Sequence, residues 1–322
     1  MQSSQWQPSA SIGTLRERAQ VLAQVRSFFA ARAVMEVDTQ CLSQAAVSDP
    51  FIDSFPVAYQ TSPAADIVWH YLQSSPEYAM KRLLAAGSGA IYQLSKVFRN
   101  GELGRLHNPE FTMLEWYRPG FCEQQLMHEV RDLVDQVLGP QTWRVFTYRE
   151  LFLEHLDIDP FTCDILDLQT AVRAKIDAPF EDDRKDTWLE LAMSELIEPL
   201  LNEPTLVEQF PASQAALAQV SEDAYGNQVA TRFELYAGGM EIANGYRELQ
   251  DPDEQARRLA ADMDNRQALD LPIRPTETRL VSALSSGLPD CSGVALGFDR
   301  LLMLKLGAQS IADVIPFSFE RA

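Results

Sequence analysis

Gly238-Gly239 separates Arg232-Phe233-Glu234-Leu235-Tyr236 from Met240-Glu241-Ile242-Ala243-Asn244, a strong short-range signal for a β-hairpin. A two-residue turn pairs Ala237 with Met240 and Tyr236 with Glu241. Glu234 and Glu241 then become same-face diagonal neighbours with Cα atoms ~7–8 Å apart. Two carboxylates so placed can share a hard cation such as magnesium, completed by substrate phosphates; the alternative is a pair of solvent-facing strand carboxylates. Glu248 follows Glu241 by seven residues, so strict alternation sends it to the opposite face. For both to serve one site the alternation must break, and Asn244-Gly245 is the expected bulge. Without it Glu248 points outward and is inert.

Cations that could grip phosphate lie elsewhere. Arg99, Arg105 and His107 surround one loop, and Arg300 follows Gly297-Phe298-Asp299 at the start of an apolar run. Paired guanidinium N–H groups suit phosphate oxygens, so the cluster is either an anion site or a set of surface salt bridges. Arg300 in the first turn of a helix opposes the macrodipole, a cost offset if an anion or Asp299 lies beside it.

These residues need elements to hold them. Ile91 to Arg99 and Pro109 to Tyr117 are rich in β-branched and aromatic residues and flank a polar loop with two glycines, which predicts a long hairpin. Period two puts Phe111, Met113, Glu115 and Tyr117 on one face, an awkward place for the Glu115 carboxylate unless a cation arrives there. Thr14 is the expected cap of a helix whose apolar stripe is Leu15, Ala19, Leu22, Val25 and Phe29, running toward Ala33; Val34 to Thr39 reads as extended. From about 146 to 222 the pattern turns helical and acidic. Glu181-Asp182-Asp183 reads as a solvated face there, followed by an amphipathic helix through Leu189, Met193, Leu196 and Leu200. The Gly-rich stretch Gly287 to Gly297 leads into a buried helix, Phe298 to Leu306, with Gly307 as its C′ residue. The organisation expected is one α+β domain over 1–322 with a mainly helical acidic insertion at about 146–222.

The composition bounds the function. The chain has 322 residues, 46% hydrophobic and 23% charged, typical of a soluble globular protein. Its formal charge of −19 repels polyanions, which disfavours a broad nucleic-acid groove. Cys41, Cys122, Cys163 and Cys291 are scattered singly, so neither a zinc site nor a redox pair is expected, and reduced thiols point to the cytoplasm. Met1 to Trp6 show neither a basic nor an apolar leader region, and no apolar run reaches membrane-span length.

The run from Phe98-Arg99-Asn100 through His107-Asn108-Pro109-Glu110-Phe111-Thr112-Met113-Leu114-Glu115-Trp116-Tyr117 resembles motif 2 of class II aminoacyl-tRNA synthetases in its lysyl form. Gly297-Phe298-Asp299-Arg300 resembles motif 3, and Arg26 through Thr39 the dimer-forming motif 1. Ser75-Pro76-Glu77-Tyr78, Phe210-Pro211-Ala212 and Glu241-Ile242-Ala243-Asn244-Gly245 match the lysyl subgroup. The likeness covers nearly the whole chain and implies the class II catalytic fold, an antiparallel sheet flanked by helices. Because the motif 1 helix begins almost at the start, no anticodon-binding domain is expected. With the −19 charge, this points to lysyl paralogues that modify a protein. Such an enzyme activates (R)-β-lysine with ATP and Mg2+ and transfers it to a lysine ε-amine of elongation factor P. The expected assembly is a homodimer without membrane attachment or stable tRNA binding. The alternatives are a lysyl-tRNA ligase acting on the acceptor stem only, and a non-catalytic amino-acid or nucleotide sensor.

The resemblance also implies roles. Arg99 would grip the α-phosphate and substrate carboxylate and Arg300 the γ-phosphate, these two with Glu241 forming the catalytic set. Asn100, Gly101, His107, Asn108, Phe111, Ile242 and Gly297 would surround ATP, with Phe111 stacking on adenine. Glu234 and Glu241 would hold magnesium. Glu77 would receive one substrate ammonium, and Tyr117 with Glu248 the other. Ser75, Pro76, Glu115, Asn244, Tyr246 and Ala295 complete the substrate set. Three departures stand out. Gly101 occupies the place of a family Glu, with Glu102 following; Gln40 replaces the Pro that usually follows Thr39; and Ala295 replaces a Gly, adding a methyl worth ~1–3 kcal/mol of discrimination.

Overall fold

The computed structural model describes residues 6–322. Met1–Gln5, which belong to the stretch read as having no leader, lie outside the described residues. In chain order the first elements are α1 (Ile12–Ala30), β1 (Met35–Glu36), β2 (Leu42–Ser43), β3 (Pro56–Tyr59), β4 (Val68–Leu72), α2 (Glu77–Ala85), β5 (Ile91–Phe98) and β6 (Glu110–Pro119). There follow α3 (Glu123–Leu138), β7 (Arg144–Thr147), α4 (Tyr148–Leu156), α5 (Ile165–Arg173), α6 (Lys185–Ala192), β8 (Thr205–Pro211), β9 (Val220–Glu222), β10 (Gln228–Ala237) and β11 (Met240–Arg247). The last are α7 (Pro252–Ala268), α8 (Thr278–Ser285), β12 (Cys291–Gly297) and α9 (Phe298–Leu306). The expected α+β class is observed.

Two compact units divide these elements. One holds the chain up to Gly120 with Gln250–Cys291 and Ala295–Ala322; the other holds Phe121–Leu249 with Ser292–Val294. In the first, β5 pairs antiparallel with β6 and parallel with β1, while β2, β4 and β3 form a separate small antiparallel sheet. In the second, β10 pairs antiparallel with β11, β8 and β9, and β7 runs parallel to β8. The sheets are therefore mixed rather than purely antiparallel.

Ser11, not Thr14, caps α1, accepting the Thr14 N–H at 3.0 Å. The buried stripe is Arg18, Val21, Val25, Phe28 and Phe29, rotated from the expected one. The reason is Arg18, whose guanidinium is drawn inward by Asp299 at 2.5 Å and by the Thr112 hydroxyl at 2.7 Å. Phe29 stacks on Tyr92 at 4.4 Å, fastening α1 to β5. A second cluster of this unit, Met80, Leu84, Ile91, Tyr117, Leu280, Leu284 and Leu288, packs α2 and α8 around the strands that carry the site. Gly307 takes φ 63° as the C′ residue of α9, as its position predicts.

The segment 146–222 carries α4, α5 and α6, but its last third contains β8, which pairs with β10. Its amphipathic helix also departs from the expected stripe. α6 ends at Ala192 and passes into a π-turn over Met193–Ile197, whose extra residue moves burial from Leu196 to Ile197 and leaves Leu200 exposed. Glu181 and Asp183 are exposed, as expected of a solvated face, while Asp182 between them is partly buried and accepts from the Arg184 N–H at 2.8 Å and the Thr187 hydroxyl at 3.0 Å, anchoring the start of α6. The core here is built on Tyr148, Phe152, Trp188, Phe210 and their neighbours.

Candidate active site

In the first unit the β5–β6 register runs unbroken from Phe98↔Glu110 to Ile91↔Tyr117. The loop between them is closed at its base by Arg99 N–H to Pro109 O at 2.9 Å, which holds Arg99 at the mouth. Gly104 and His107 exchange backbone bonds at 3.0 and 3.3 Å, a tight turn that presents the imidazole. His107 Nε2 lies 2.7 Å from an Arg300 terminal nitrogen. Desolvation first, and the Arg300 charge second, hold this imidazole below its ordinary pKa, so it is neutral at pH 7 and can accept from a guanidinium. Arg99 also acts on it, so two arginines and one histidine share one region. Asp299, the alternative partner of Arg300, is committed to Arg18 and to the Thr112 N–H at 2.7 Å. Arg99 lies 5.2 Å from the Phe111 ring centroid, makes a loose 3.7 Å contact with Glu102, and keeps a buried Nε with no hydrogen bond among the described residues.

Other expected members of this group are differently employed. Arg105 donates to Gln309 O at 3.2 Å. Asn108 is buried with both ends of its amide used, donating to Glu110 O at 2.6 Å and accepting from Phe319 N at 2.9 Å. It fastens the segment that carries Phe319. Asn100 donates to Asp53 at 2.8 Å. Gly101 has φ 83°, a left-handed conformation a Glu would strain, so the carboxylate beside Arg99 comes from Glu102.

The same unit holds the candidate ammonium pocket. Ser75 Oγ donates to Glu115 at 2.8 Å and accepts the Glu77 N–H at 3.0 Å, and Tyr117 Oη donates to the other Glu115 oxygen at 2.6 Å. These two hydroxyls explain how a carboxylate with 2% exposure is tolerated among apolar neighbours. Pro76 occupies the N-cap of α2, placing Glu77 in its first turn, where the helix dipole favours a carboxylate. Glu77 accepts from the buried Lys81 ammonium at 2.6 Å, which leaves its other oxygen for a ligand. A cavity beside them is lined by Gln40, Ser74, Ser75, Glu77, Arg82 and Glu277, among others. Ala295 and Gly297 are half-buried on β12.

In the second unit the β10–β11 turn has the expected pairs, Ala237↔Met240 and Tyr236↔Glu241. The register then shifts, because Leu235 pairs with Ala243 and Glu234 with Asn244. The bulge lies at Ile242, earlier than the expected Asn244-Gly245, and both Ile242 and Ala243 are buried in succession. Its effect is the one required: Glu241, Asn244 and Tyr246, and by alternation Glu248, fall on the face of Glu234. Ile242 turns into the core at 2% exposure, so its side chain is not available to a nucleotide. Gly245 is required by packing, since a Cβ there would lie 2.4 Å from the Phe233 ring.

Glu234 is the hub of this face. It accepts from Arg232, from Tyr236 Oη and, at 3.0 Å, from Asn244 Nδ2. Burial raises its pKa, Arg232 opposes that, and the charge of Glu241 raises it again. Burial works against the Arg232 charge, but Glu234 outweighs it and holds the guanidinium above its ordinary value. Arg232 also lies 4.7 Å from the Phe210 ring and donates to Gln214 O at 2.6 Å, which gives the Phe210-Pro211-Ala212 motif a structural role. A divalent cation fits Glu234 and Glu241 on charge, because it would relieve both burial and their mutual repulsion while sharing Glu234 with Arg232. No cluster of three or more metal-suited His, Cys, Asp or Glu side chains occurs among the described residues. Glu248 is buried at 1% exposure, and its backbone bridges to Ala218.

Arg232 was not anticipated, although period two from Glu234 puts it on the same face. Glu198, which accepts the Glu241 N–H at 2.9 Å, lies 43 positions away and leaves no local signal.

The chain matches the family model for class II tRNA synthetases (D, K and N) over residues 6–321. It is 48% identical to the elongation factor P–(R)-β-lysine ligase of Photorhabdus laumondii, covering 100% of this chain and 99% of that protein. Proteins of the same name from Salmonella typhi and Salmonella gallinarum are each 50% identical over 100% of this chain and 99% of their own length.

Proposed function

Because the chain belongs to the class II tRNA synthetase family, we propose that it is an ATP-dependent ligase that activates (R)-β-lysine and transfers it to a lysine ε-amine of elongation factor P. The observation that carries the ATP chemistry is the grouping of Arg99, His107 and Arg300, in which Arg300 meets a neutral imidazole while Asp299 is occupied elsewhere. The substrates are those named in the relatives' activity.

In this reading the β-lysine carboxylate attacks the α-phosphorus in line and pyrophosphate leaves. Arg99 holds the α-phosphate and the attacking carboxylate, using the Nε that has no partner among the described residues; Arg300 holds the γ-phosphate. His107 orients Arg300, Phe111 stacks on adenine, and Asn100 fixes the loop beside Arg99. Glu241 and Glu234 would hold Mg2+, which supplies charge neutralisation on the phosphates. As the resemblance implies, Glu77 takes one substrate ammonium and Glu248 the other. The acyl-adenylate is then attacked by the neutral target amine, forming an amide and releasing AMP.

The −19 charge supports a protein acceptor over tRNA. α1 and β1 correspond to the family's dimer-forming motif, so we read the working form as a homodimer, acting in the cytoplasm with its four thiols unpaired. No helix among the described residues is long and apolar enough to cross a membrane. The test is incubation with ATP, magnesium and (R)-β-lysine, followed by elongation factor P or bulk tRNA. Label entering the protein supports the reading; label entering tRNA at a comparable rate overturns it.

A further inference from the structure

We propose that Asp53, outside every residue assigned above to substrate, is a positioning residue that aims Arg99, held in place by two arginines from a distant stretch of the chain. The inference rests on the role given to Arg99 in the proposed function. Asn100, the next residue after Arg99, is tied to Asp53 twice: its N–H donates to the Asp53 carbonyl at 2.8 Å and its side-chain amide to the carboxylate at 2.8 Å. The two residues form an isolated antiparallel bridge, so the chain leaving Arg99 cannot turn without moving Asp53.

Asp53 is itself fixed from the other side. Its second carboxylate oxygen accepts from Arg266 and from Arg274, each at 3.3 Å. Arg266 is fully buried on α7 at 1% exposure, a position that requires its charge to be compensated. Its remaining N–H groups donate to Asp49 O at 2.7 Å and Pro272 O at 3.1 Å, so it is locked to the same 49–53 segment that carries Asp53. Arg274 lies 5.5 Å from the Tyr71 ring centroid. The residue before Arg99 is anchored as well, by Phe98 N–H to Gln73 O at 2.8 Å. Arg99 thus stands between a backbone bond behind it and the Asp53 clasp ahead of it. Its guanidinium has the Phe111 ring at 5.2 Å and a loose 3.7 Å contact with Glu102 but no side-chain hydrogen bond among the described residues, so its direction depends on how the clasp holds the backbone.

The experiment is single-turnover adenylate formation from ATP and (R)-β-lysine in Asp53→Asn and Arg274→Gln, measuring both the rate constant and the burst amplitude. Mis-aiming Arg99 is expected to lower the rate constant about tenfold to 100-fold in Asp53→Asn, and less in Arg274→Gln, with the amplitude per chain retained. A rate constant within about twofold of wild type in both variants overturns the inference, whether or not amplitude is lost, because a purely structural clasp lowers only the competent fraction. A wild-type chain that forms no adenylate overturns the functional reading and this inference with it; a normal wild-type burst with unaltered variants overturns this inference alone.

Discussion

The hairpins β5–β6 and β10–β11 are built from similar alternating strands, yet they deliver their functional side chains by different means. β5–β6 keeps one register throughout, and its long loop places Arg99 and His107. β10–β11 has a two-residue turn and no loop to use, so it places its carboxylates through a bulge. In the first, the cations come from loop residues held at their backbone; in the second, the carboxylates come from strand residues whose face depends on a single extra position. A continuous ladder makes period two a reliable guide, and a bulge reverses every residue beyond it.

The largest effect expected of breaking either hairpin is in the first. Arg99→Ala should lower ATP–pyrophosphate exchange with (R)-β-lysine by about 10²–10³-fold, since preorganised charge is the main catalytic term in such a site. Unchanged exchange would remove Arg99 from the chemistry. In the second hairpin, Glu248→Ala should lower exchange about 100-fold while far-ultraviolet circular dichroism is kept, and unchanged exchange would remove Glu248 from the site. Inserting an alanine between Leu235 and Tyr236 gives the bulge an opposing residue, so plain alternation would turn Glu241 to the face opposite Glu234 and Asn244 and lower exchange to a similar extent. Retained activity after the insertion would show that the bulge is not what aligns the face.

The glycines sharpen the same contrast at smaller scale. Gly245→Ala drives a methyl into the Phe233 ring and should cost about 1–3 kcal/mol in denaturant unfolding. Gly101→Ala meets open space at φ 83° and should cost only about 1 kcal/mol of backbone strain. Equal losses would contradict the claim that the second hairpin is limited by packing and the first by conformation.

The smallest effect concerns His107. Its folded pKa lies below the ordinary value of 6.5, so the unfolded chain binds the proton more readily. Any contribution is therefore absent above that pH and appears as lost stability as the pH falls from about 6.5 through the folded pKa. His107→Gln should flatten that decline slightly. A steeper decline in the variant would show that folding raises rather than lowers the affinity of His107 for a proton.

Much of the site was legible because its signals are local. The Gly238-Gly239 turn announces its hairpin, alternation puts Glu115 beside Tyr117, and Gly307 marks the end of α9. The need for a break between Glu241 and Glu248 follows from parity alone. What was misplaced depended on partners distant in sequence. The rotation of α1 follows from Arg18 reaching Asp299, 281 positions away; the employment of Asn108 follows from Phe319. The bulge at Ile242 rather than Gly245 follows from packing, because Gly245 is needed where the Phe233 ring presses on the strand.

By itself, then, the order of residues determined which side chains carry charge, which elements form and which turns join them, since helix caps, strand alternation and two-residue turns act over a few neighbours. Only the tertiary structure decided what each charge does. It gave Asp299 to Arg18 and left Arg300 to His107, wrapped Glu234 in Arg232, Tyr236 and Asn244, and set Asp53 between Asn100 and two arginines. A carboxylate in an acidic chain has many possible cations, and burial selects among them: the costly desolvated charge takes the partner that folding brings within hydrogen-bond reach, whatever its distance along the chain.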